Sequence, residues 1–258
     1  TVAAAAMGAA SVFLIGKQLQ PDIIQGGRLS VPRIGQLTFL ERSYLAGKVA
    51  NEIGADKVRR MSSRTLDRWI AERLVVSDAD LVQLDGLKNR TRRWLNGRMT
   101  DWQTRQRATI DTASREWDAT VARAEGPAIL TLPAERRRKV AGLSRSLAAQ
   151  ASLLVPEMDR MLQTDMSQFF QEGQMQGVPE EEIVYKIPRP SACIQCFRLH
   201  IGSDGQPIKY VLGDVEGNSN VGAAPDDWMF TIGPVHPHCY CILHRETQEP
   251  APGPSQAM

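Results

Sequence analysis

The two short sequences Cys193-Ile-Gln-Cys196 and His236-Pro237-His238-Cys239-Tyr240-Cys241 contain all four cysteines of the 258-residue chain. Three of its four histidines also lie between residues 193 and 241. A Cys-x-x-Cys turn directs two thiolates towards one point, and further ligands from a distant segment complete a tetrahedron, as in a structural zinc site. We therefore predict a structural Zn²⁺ ion in this segment.

The sequence offers one more ligand than a tetrahedral zinc ion needs. The candidates are Cys193, Cys196, Cys239, Cys241 and His236. Four thiolates are the simplest set, but the Cys-x-Cys spacing is tight, so His236 could replace Cys239 or Cys241. We expect His200 and His238 not to bind the metal, and His244 to lie on the surface.

Two other interpretations of the cysteines remain open. Four cysteines allow three disulfide pairings, of which Cys193–Cys241 with Cys196–Cys239 is sterically reasonable, but disulfides need an oxidising compartment. Reduced cysteines can also simply fill a core. A closed four-ligand zinc site holds no open position for water, and no common hydrolase or phosphate-loop motif is present, so we expect no enzymatic activity.

The composition is that of an ordinary globular protein, with 42% hydrophobic and 23% charged residues and a net charge of +2. Residues 88–139 hold 13 Lys and Arg against 6 Asp and Glu, a local charge of +7, whereas residues 140–190 hold 4 against 7, a local charge of −3. The basic region could face nucleic acid or an acidic partner, although a solvated helix face has the same pattern. Its densest cluster is Arg136, Arg137, Arg138 and Lys139. No apolar run is long enough for a transmembrane helix.

The fold class predicted from these patterns is mainly α, α+β: an elongated helical body with a small, β-rich, zinc-stapled module at its C-terminal end. We divide the chain into an apolar helix and connector (1–34), a helical body (35–182), a metal-binding module (183–245) and a flexible tail (246–258). The alanine-rich first segment is predicted to be a helix over residues 1–19 that makes contacts within an assembly.

Apolar residues at three- and four-residue steps predict the helices of the body. One runs from 37 to 51, and a short one follows Ser62 or Ser63. A long helix, whole or broken near Gly97, begins at Ser77 and ends before Gly126. Another opens near Pro133, is interrupted or restarted at Pro156, and ends at Gly173 or Gly177. Strands are predicted at 183–187, 208–212 and 228–232.

The order of these features resembles a known family. A helix containing Leu162-Gln163-Thr164-Asp165 precedes a strand, Cys-x-x-Cys, a glycine-rich loop and His-Pro-x-Cys-x-Cys. Over about residues 135–245 this is similar to the head-morphogenesis, or minor head protein, family of tailed bacteriophages (Mu F-like). The family often has Arg-Thr-Glu where this chain has Gln163-Thr164-Asp165, and Asn and Arg where it has His238 and Tyr240.

The resemblance implies a structural virion protein at the portal vertex or capsid interior, made in the host cytoplasm. Its partners would be the portal protein, the major capsid protein, or both, within a multi-subunit assembly that assists head assembly and DNA packaging or ejection. The alternative hypothesis is a DNA-binding module that uses the basic region 88–139 and the zinc knuckle.

Overall fold

The computed structural model describes residues 27–28, 37–220, 223–236, 239 and 241–247. The predicted N-terminal helix (1–19), His238 and most of the predicted tail lie outside the described residues. The described part is mainly helical with small antiparallel sheets, which confirms the predicted fold class.

Seven α-helices and five strands form the described part of the chain, with two short 3-10 helices between them. In chain order the elements are β1 (Gly27–Arg28), α1 (Phe39–Ile53), α2 (Ala55–Arg60), α3 (Ser63–Arg73), β2 (Val75–Val76), α4 (Asp78–Ala122), a 3-10 helix (Gly126–Thr131), α5 (Leu132–Met175), β3 (Ile183–Ile187), α6 (Ile194–His200), β4 (Tyr210–Val211), α7 (Leu212–Val215), a second 3-10 helix (Pro225–Asp227) and β5 (Ile242–Arg245).

The helix starts follow from capping chemistry. Thr38 and Glu41 form a reciprocal capping box on α1, with the Glu41 amide donating to Thr38 Oγ1 at 3.2 Å and the Thr38 amide donating to Glu41 Oε2 at 2.8 Å. Ser62 caps α3 through the Thr65 amide, and Ser77 caps α4 through the Asp80 amide. These starts agree with the sequence predictions.

The long helices are continuous. Helix α4 passes through Gly97 without a break and ends before Gly126, whose φ of 54° favours glycine. Helix α5 also runs through Pro156, so the predicted interruption there is wrong. Proline removes one backbone hydrogen bond, a loss that the rest of this 44-residue helix outweighs.

The described residues form two compact units, which share α4 and α5. In the unit Asn89–Asp159, the two helices run antiparallel as a hairpin. Arg98 pairs with Glu157 at 2.8 Å, and Gln150 donates to Thr109 at 3.1 Å. Trp94, Trp102 and Trp117, which the sequence predicts to face inward, are each half-buried.

In the other unit, α1 crosses the C-terminal part of α5 at two glycines. A Cβ atom on Gly47 would lie 1.9 Å from the Phe170 carbonyl oxygen, and one on Gly173 would lie 2.1 Å from that of Tyr44. Polar contacts hold the start of α4 against α1. Asp80 of α4 is fully buried, accepts a hydrogen bond from the Tyr44 hydroxyl at 2.9 Å and forms an ion pair with Lys48. This packing places one face of α5 against the C-terminal sheet.

That sheet is antiparallel with the order β4-β3-β5. Strand β3 was predicted with the correct bounds, whereas β4 is limited to two residues and β5 was not predicted. In β3–β5, Lys186 lies opposite Leu243 and Ile187 opposite Ile242. The sheet covers an apolar core that comprises Met175, Val184, Leu212, Val215, Phe230, Ile232 and Leu243.

The predicted strand 228–232 is wrong. Its backbone is hydrogen-bonded by asparagine side chains instead of a neighbouring strand: Asn218 donates to the Phe230 carbonyl at 3.0 Å, and Asn220 both donates to the Met229 carbonyl and accepts from its amide, each at 2.8 Å. Phe230 and Ile232 of this run are buried in the core, but the hydrogen-bond partners of its backbone are side chains from an irregular loop.

Candidate metal centre

The first two cysteines are positioned by the short helix α6. Cys193 is its N-cap residue, with extended backbone angles (φ −71°, ψ 161°), and Cys196 lies in the first turn. Residues three apart share one face of a helix, so both thiols point the same way. Cys193 is exposed, whereas Cys196 is buried.

The second group of ligands lies on the segment that leads into β5. A turn in which the Cys239 amide donates to the His236 carbonyl at 3.0 Å brings these two residues towards the same side. The indole of Trp228 stacks on the His236 imidazole with ring centroids 5.1 Å apart, and its own N–H donates to the Ala223 carbonyl. Trp228 therefore restricts the orientation of the imidazole.

The five predicted ligands come together around Cys196. Cys193, Cys196 and His236 form one group whose ligand atoms lie within 4.8 Å of one another, and Cys196, Cys239 and Cys241 form a second. Cys196 is the common member of both groups. The structure thus assembles a Cys/His cluster close enough to hold a metal ion, from residues 40 or more positions apart.

The distances within the cluster are close to those of a tetrahedral site. Cys196 Sγ lies 3.8 Å from Cys239 Sγ, and two thiolates at about 2.3 Å from one tetrahedral zinc ion would be about 3.8 Å apart. His236 Nε2 lies 3.2 Å from Cys193 Sγ and 3.1 Å from Cys196 Sγ, slightly less than the roughly 3.5 Å between sulfur and nitrogen ligands of such an ion. Small shifts of the His236 ring would meet that geometry.

The cysteines are free thiols and not disulfides. The 3.8 Å between Cys196 and Cys239 is well beyond the disulfide bond length of about 2.05 Å. Hydrogen bonds from the Cys196 and Cys241 thiols lower the pKa of Cys239, and the same hydrogen bond with Cys239 raises the pKa of Cys196. For Cys241 the bonds to Cys196 and Cys239 oppose each other, and burial helps to raise its pKa to about 12.

Two buried glutamines of α5 hold the strand that follows the cluster. Gln171 donates to the Cys241 carbonyl at 3.1 Å and Gln174 donates to the Leu243 carbonyl at 3.0 Å. Glutamines three apart on one helix face match carbonyls two apart on one side of a strand. This function of the two glutamines was not predicted, although the pair Gln171-x-x-Gln174 stands a few residues before the predicted metal-binding module.

Of the described histidines, His200 and His244 do not belong to the cluster's two ligand groups. His200 is fully buried with its ring edge-on to Phe230, and burial lowers its pKa to about 4. His244 was expected on the surface, but this is wrong: it is buried on β5 and stacks on Tyr185 with ring centroids 5.4 Å apart. The reason is that β5 continues the sheet through residues that the sequence places next to the tail.

The basic cluster at the start of α5 is exposed. All four of its residues are open to solvent, and Lys139 donates to Thr120 Oγ1 at 3.3 Å. The basic cluster lies in the unit Asn89–Asp159, whereas the cysteines lie in the other unit. The four basic residues form a basic surface on the helical hairpin and do not belong to the Cys/His cluster.

No family model, curated protein or solved structure matches this chain. Within the described residues, none of the helices is sufficiently long and apolar to cross a membrane. The Cys/His cluster is therefore the observation from which a function can be argued.

Proposed function

We propose that the Cys/His cluster holds a structural zinc ion that fixes the C-terminal sheet of a non-enzymatic virion protein. The observation that carries the proposal is the convergence on Cys196 of ligand atoms from two distant segments. Thiolate-rich tetrahedral sites favour zinc over harder cations, which prefer oxygen ligands. Val235, Ala192, Leu199 and Trp228 pack against the buried cysteines of the cluster, and an apolar shell of this kind limits the access of solvent to a metal site.

The ligand set can be resolved with cobalt, whose thiolate charge-transfer bands report the number of sulfur ligands. We propose that Cys196 is indispensable because it belongs to both groups, so Cys196→Ser abolishes the tetrahedral cobalt spectrum. His236→Ala and Cys241→Ser separate the two possible sets, since only the true ligand changes the spectrum. An unaltered spectrum in Cys196→Ser would contradict the proposed centre.

A closed site of this kind stabilises a fold and does not activate water. Three thiolates together with the His236 imidazole, or four thiolates, fill all four positions around one ion and leave none for a substrate. We propose accordingly that the protein is not an enzyme. The small sheet has little hydrophobic core of its own, and the metal supplies the stability that a larger core would otherwise provide.

We further propose that the protein is a minor head protein of a tailed bacteriophage, associated with the portal vertex or capsid interior. The support is the resemblance over residues 135–245 together with the order of elements in the fold: a long helix, a strand, Cys-x-x-Cys on α6, and the second ligand segment before β5. Quantitative mass spectrometry of heads purified from a phage that encodes this protein should find it in few copies beside portal and major capsid protein. Its absence from such heads would reject the proposal.

The exposed basic cluster favours one alternative, which is DNA binding. Its test is the salt dependence of DNA affinity in the wild type and in a triple variant, Arg136→Ala/Arg137→Ala/Arg138→Ala. If the cluster binds phosphates, the slope of log affinity against log salt should fall by about 3 in the variant. Alanine substitution of the exposed arginines Arg60, Arg64 and Arg68 serves as the control, and equal slopes in all three proteins would reject the alternative.

A further inference from the structure

Strand β3 carries a lysine in a place where lysines are rarely found. Lys186 lies on the central strand of the sheet and its side chain is fully buried. It shares its face of the strand with Val184, and its partner across the ladder is Leu243, both members of the apolar core. A buried ammonium group is strongly unfavourable unless an opposite charge compensates it.

The direct contacts of Lys186 supply no such charge. Its ammonium group donates to the Gly233 carbonyl and lies 5.4 Å from the centre of the Phe230 ring. A carbonyl oxygen and an aromatic face both attract a cation, but neither carries a formal negative charge. These contacts orient the ammonium group without neutralising it.

The thiols of the cysteine cluster are the largest sources of negative charge near Lys186. Burial lowers the pKa of Lys186 to about 8, and the groups that oppose this, in decreasing order, are Cys239, Cys241, Cys196 and Glu172. Three of these four are candidate ligands, and Gly233, which fixes the ammonium group, lies three residues before a fourth, His236. Lys186 therefore has three cysteine thiols and one more weakly acting carboxylate, that of Glu172, as its sources of negative charge.

A zinc ion bound by the thiolates would give a negatively charged centre that balances the positive charge of Lys186. Zinc with three thiolates and a neutral imidazole carries a net charge of −1, and zinc with four thiolates carries −2. We propose that Lys186 is the counter-charge of the metal–thiolate cluster, a positioning residue that lets an anionic metal centre exist in a buried site. This inference rests on the proposed zinc centre.

The positive charge of Lys186 should raise the affinity of the cluster for zinc. At neutral pH the metal displaces protons from the thiols, so the cluster becomes more negative when zinc binds. A fixed positive charge nearby favours that change, and its removal should weaken zinc binding about 10- to 100-fold, the range found when groups around metal ligands are altered. A lysine with only a packing role would change the stability of the protein with and without zinc by the same amount.

The test compares zinc affinity, measured by competition with a chromophoric chelator, in the full chain and four variants. Lys186→Met and Lys186→Gln remove the charge, and the glutamine keeps a donor for the Gly233 carbonyl. Lys186→Arg retains the charge. Lys209→Met is the matched control, because Lys209 on the same sheet region is exposed and pairs with Glu246.

The expected result is an affinity that is about 10- to 100-fold lower in both neutral variants and close to wild type in Lys186→Arg and Lys209→Met. In the same proteins, the rise in melting temperature on adding zinc should be smaller only for the neutral variants. Equal zinc affinity in wild type and either neutral variant overturns the inference, and if one neutral variant does not fold, the other decides. A wild-type protein that binds no zinc would instead reject the metal centre itself.

Discussion

The crossing of α1 and α5 gives a sharp prediction for Gly173→Ala. The new methyl group would lie 2.1 Å from the Tyr44 carbonyl oxygen and 3.2 Å from the Lys48 amide nitrogen. Ordinary van der Waals contact between carbon and oxygen requires roughly 3.5 Å, so the helices must separate by on the order of 1 Å. A gap of that size forfeits roughly half of the dispersion energy of the atoms across the interface.

The expected net loss in the free energy of unfolding is about 2 kcal/mol. Overpacking against side chains costs about 1–3 kcal/mol, and here the obstacle is backbone, which cannot rotate away. The higher helix propensity of alanine returns at most about 1 kcal/mol. Because a Cβ atom on Gly47 would lie 1.9 Å from the Phe170 carbonyl oxygen in the same crossing, Gly47→Ala should have a similar effect.

The assay is urea unfolding followed by circular dichroism, with hydrogen exchange to locate the change. Gly86→Ala is the matched control: Gly86 is an exposed helical glycine of the same unit, and a methyl group added there would meet no neighbouring atom within 4 Å. This substitution should raise stability by up to about 1 kcal/mol. If Gly173→Ala were as stable as Gly86→Ala, the close crossing would be wrong.

Two further predictions concern buried polar groups. Gln171→Leu and Gln174→Leu each leave a carbonyl of the β5 segment unpaired. Each substitution should therefore lower the free energy of unfolding by about 1–3 kcal/mol. Unchanged midpoints of urea unfolding would contradict the hydrogen bonds from α5 to the β5 segment. The folded state holds His200 neutral with a pKa of about 4 against 6.5 for the ordinary imidazole, so stability should fall as the pH drops from 6.5 towards 4, by roughly 3 kcal/mol in total. His200→Leu should lack this loss of stability. Because both proteins contain the same candidate metal ligands, protonation of those ligands affects both equally and cancels when the two are compared at each pH. Parallel profiles of stability against pH would refute the lowered pKa of His200.

Helix positions followed from local chemistry and could be predicted. Thr38, Ser62 and Ser77 each accept a hydrogen bond from the amide three residues later, and the apolar spacing behind them is that of a helix. The short helices α2, α6 and α7 were not predicted, and at Pro156 the long packed helix outweighs a local preference. Local signals decide where a helix begins, but its continuation depends on the whole helix.

The sheet was harder to predict because its partners are distant in sequence. Strand β5 is short and directly follows the last cysteine, so its residues Ile242–Arg245 gave no alternating pattern of useful length. The segment 228–232 was mistaken for a strand because its asparagine partners lie ten or so residues earlier in an irregular loop. Neither assignment depends on local sequence alone.

The Cys/His cluster was the most predictable feature, since the spacing of cysteines limits the possible geometry. All five predicted ligands lie in the cluster, but their supporting residues were not recognised. A lysine within the apolar run Ile183-Val-Tyr-Lys186-Ile was visible in the sequence, yet its burial depends on the register of β3 with β5. Outer contacts of a site therefore require the tertiary structure.

The most direct test of the central claim is the metal content of the purified full chain by elemental analysis, with a thiol count under denaturing conditions. We predict about one zinc ion per chain and four titratable thiols, one from each of the free cysteines. Protein purified without chelators that contains no metal and no free thiols would show disulfides instead, and would contradict the zinc centre.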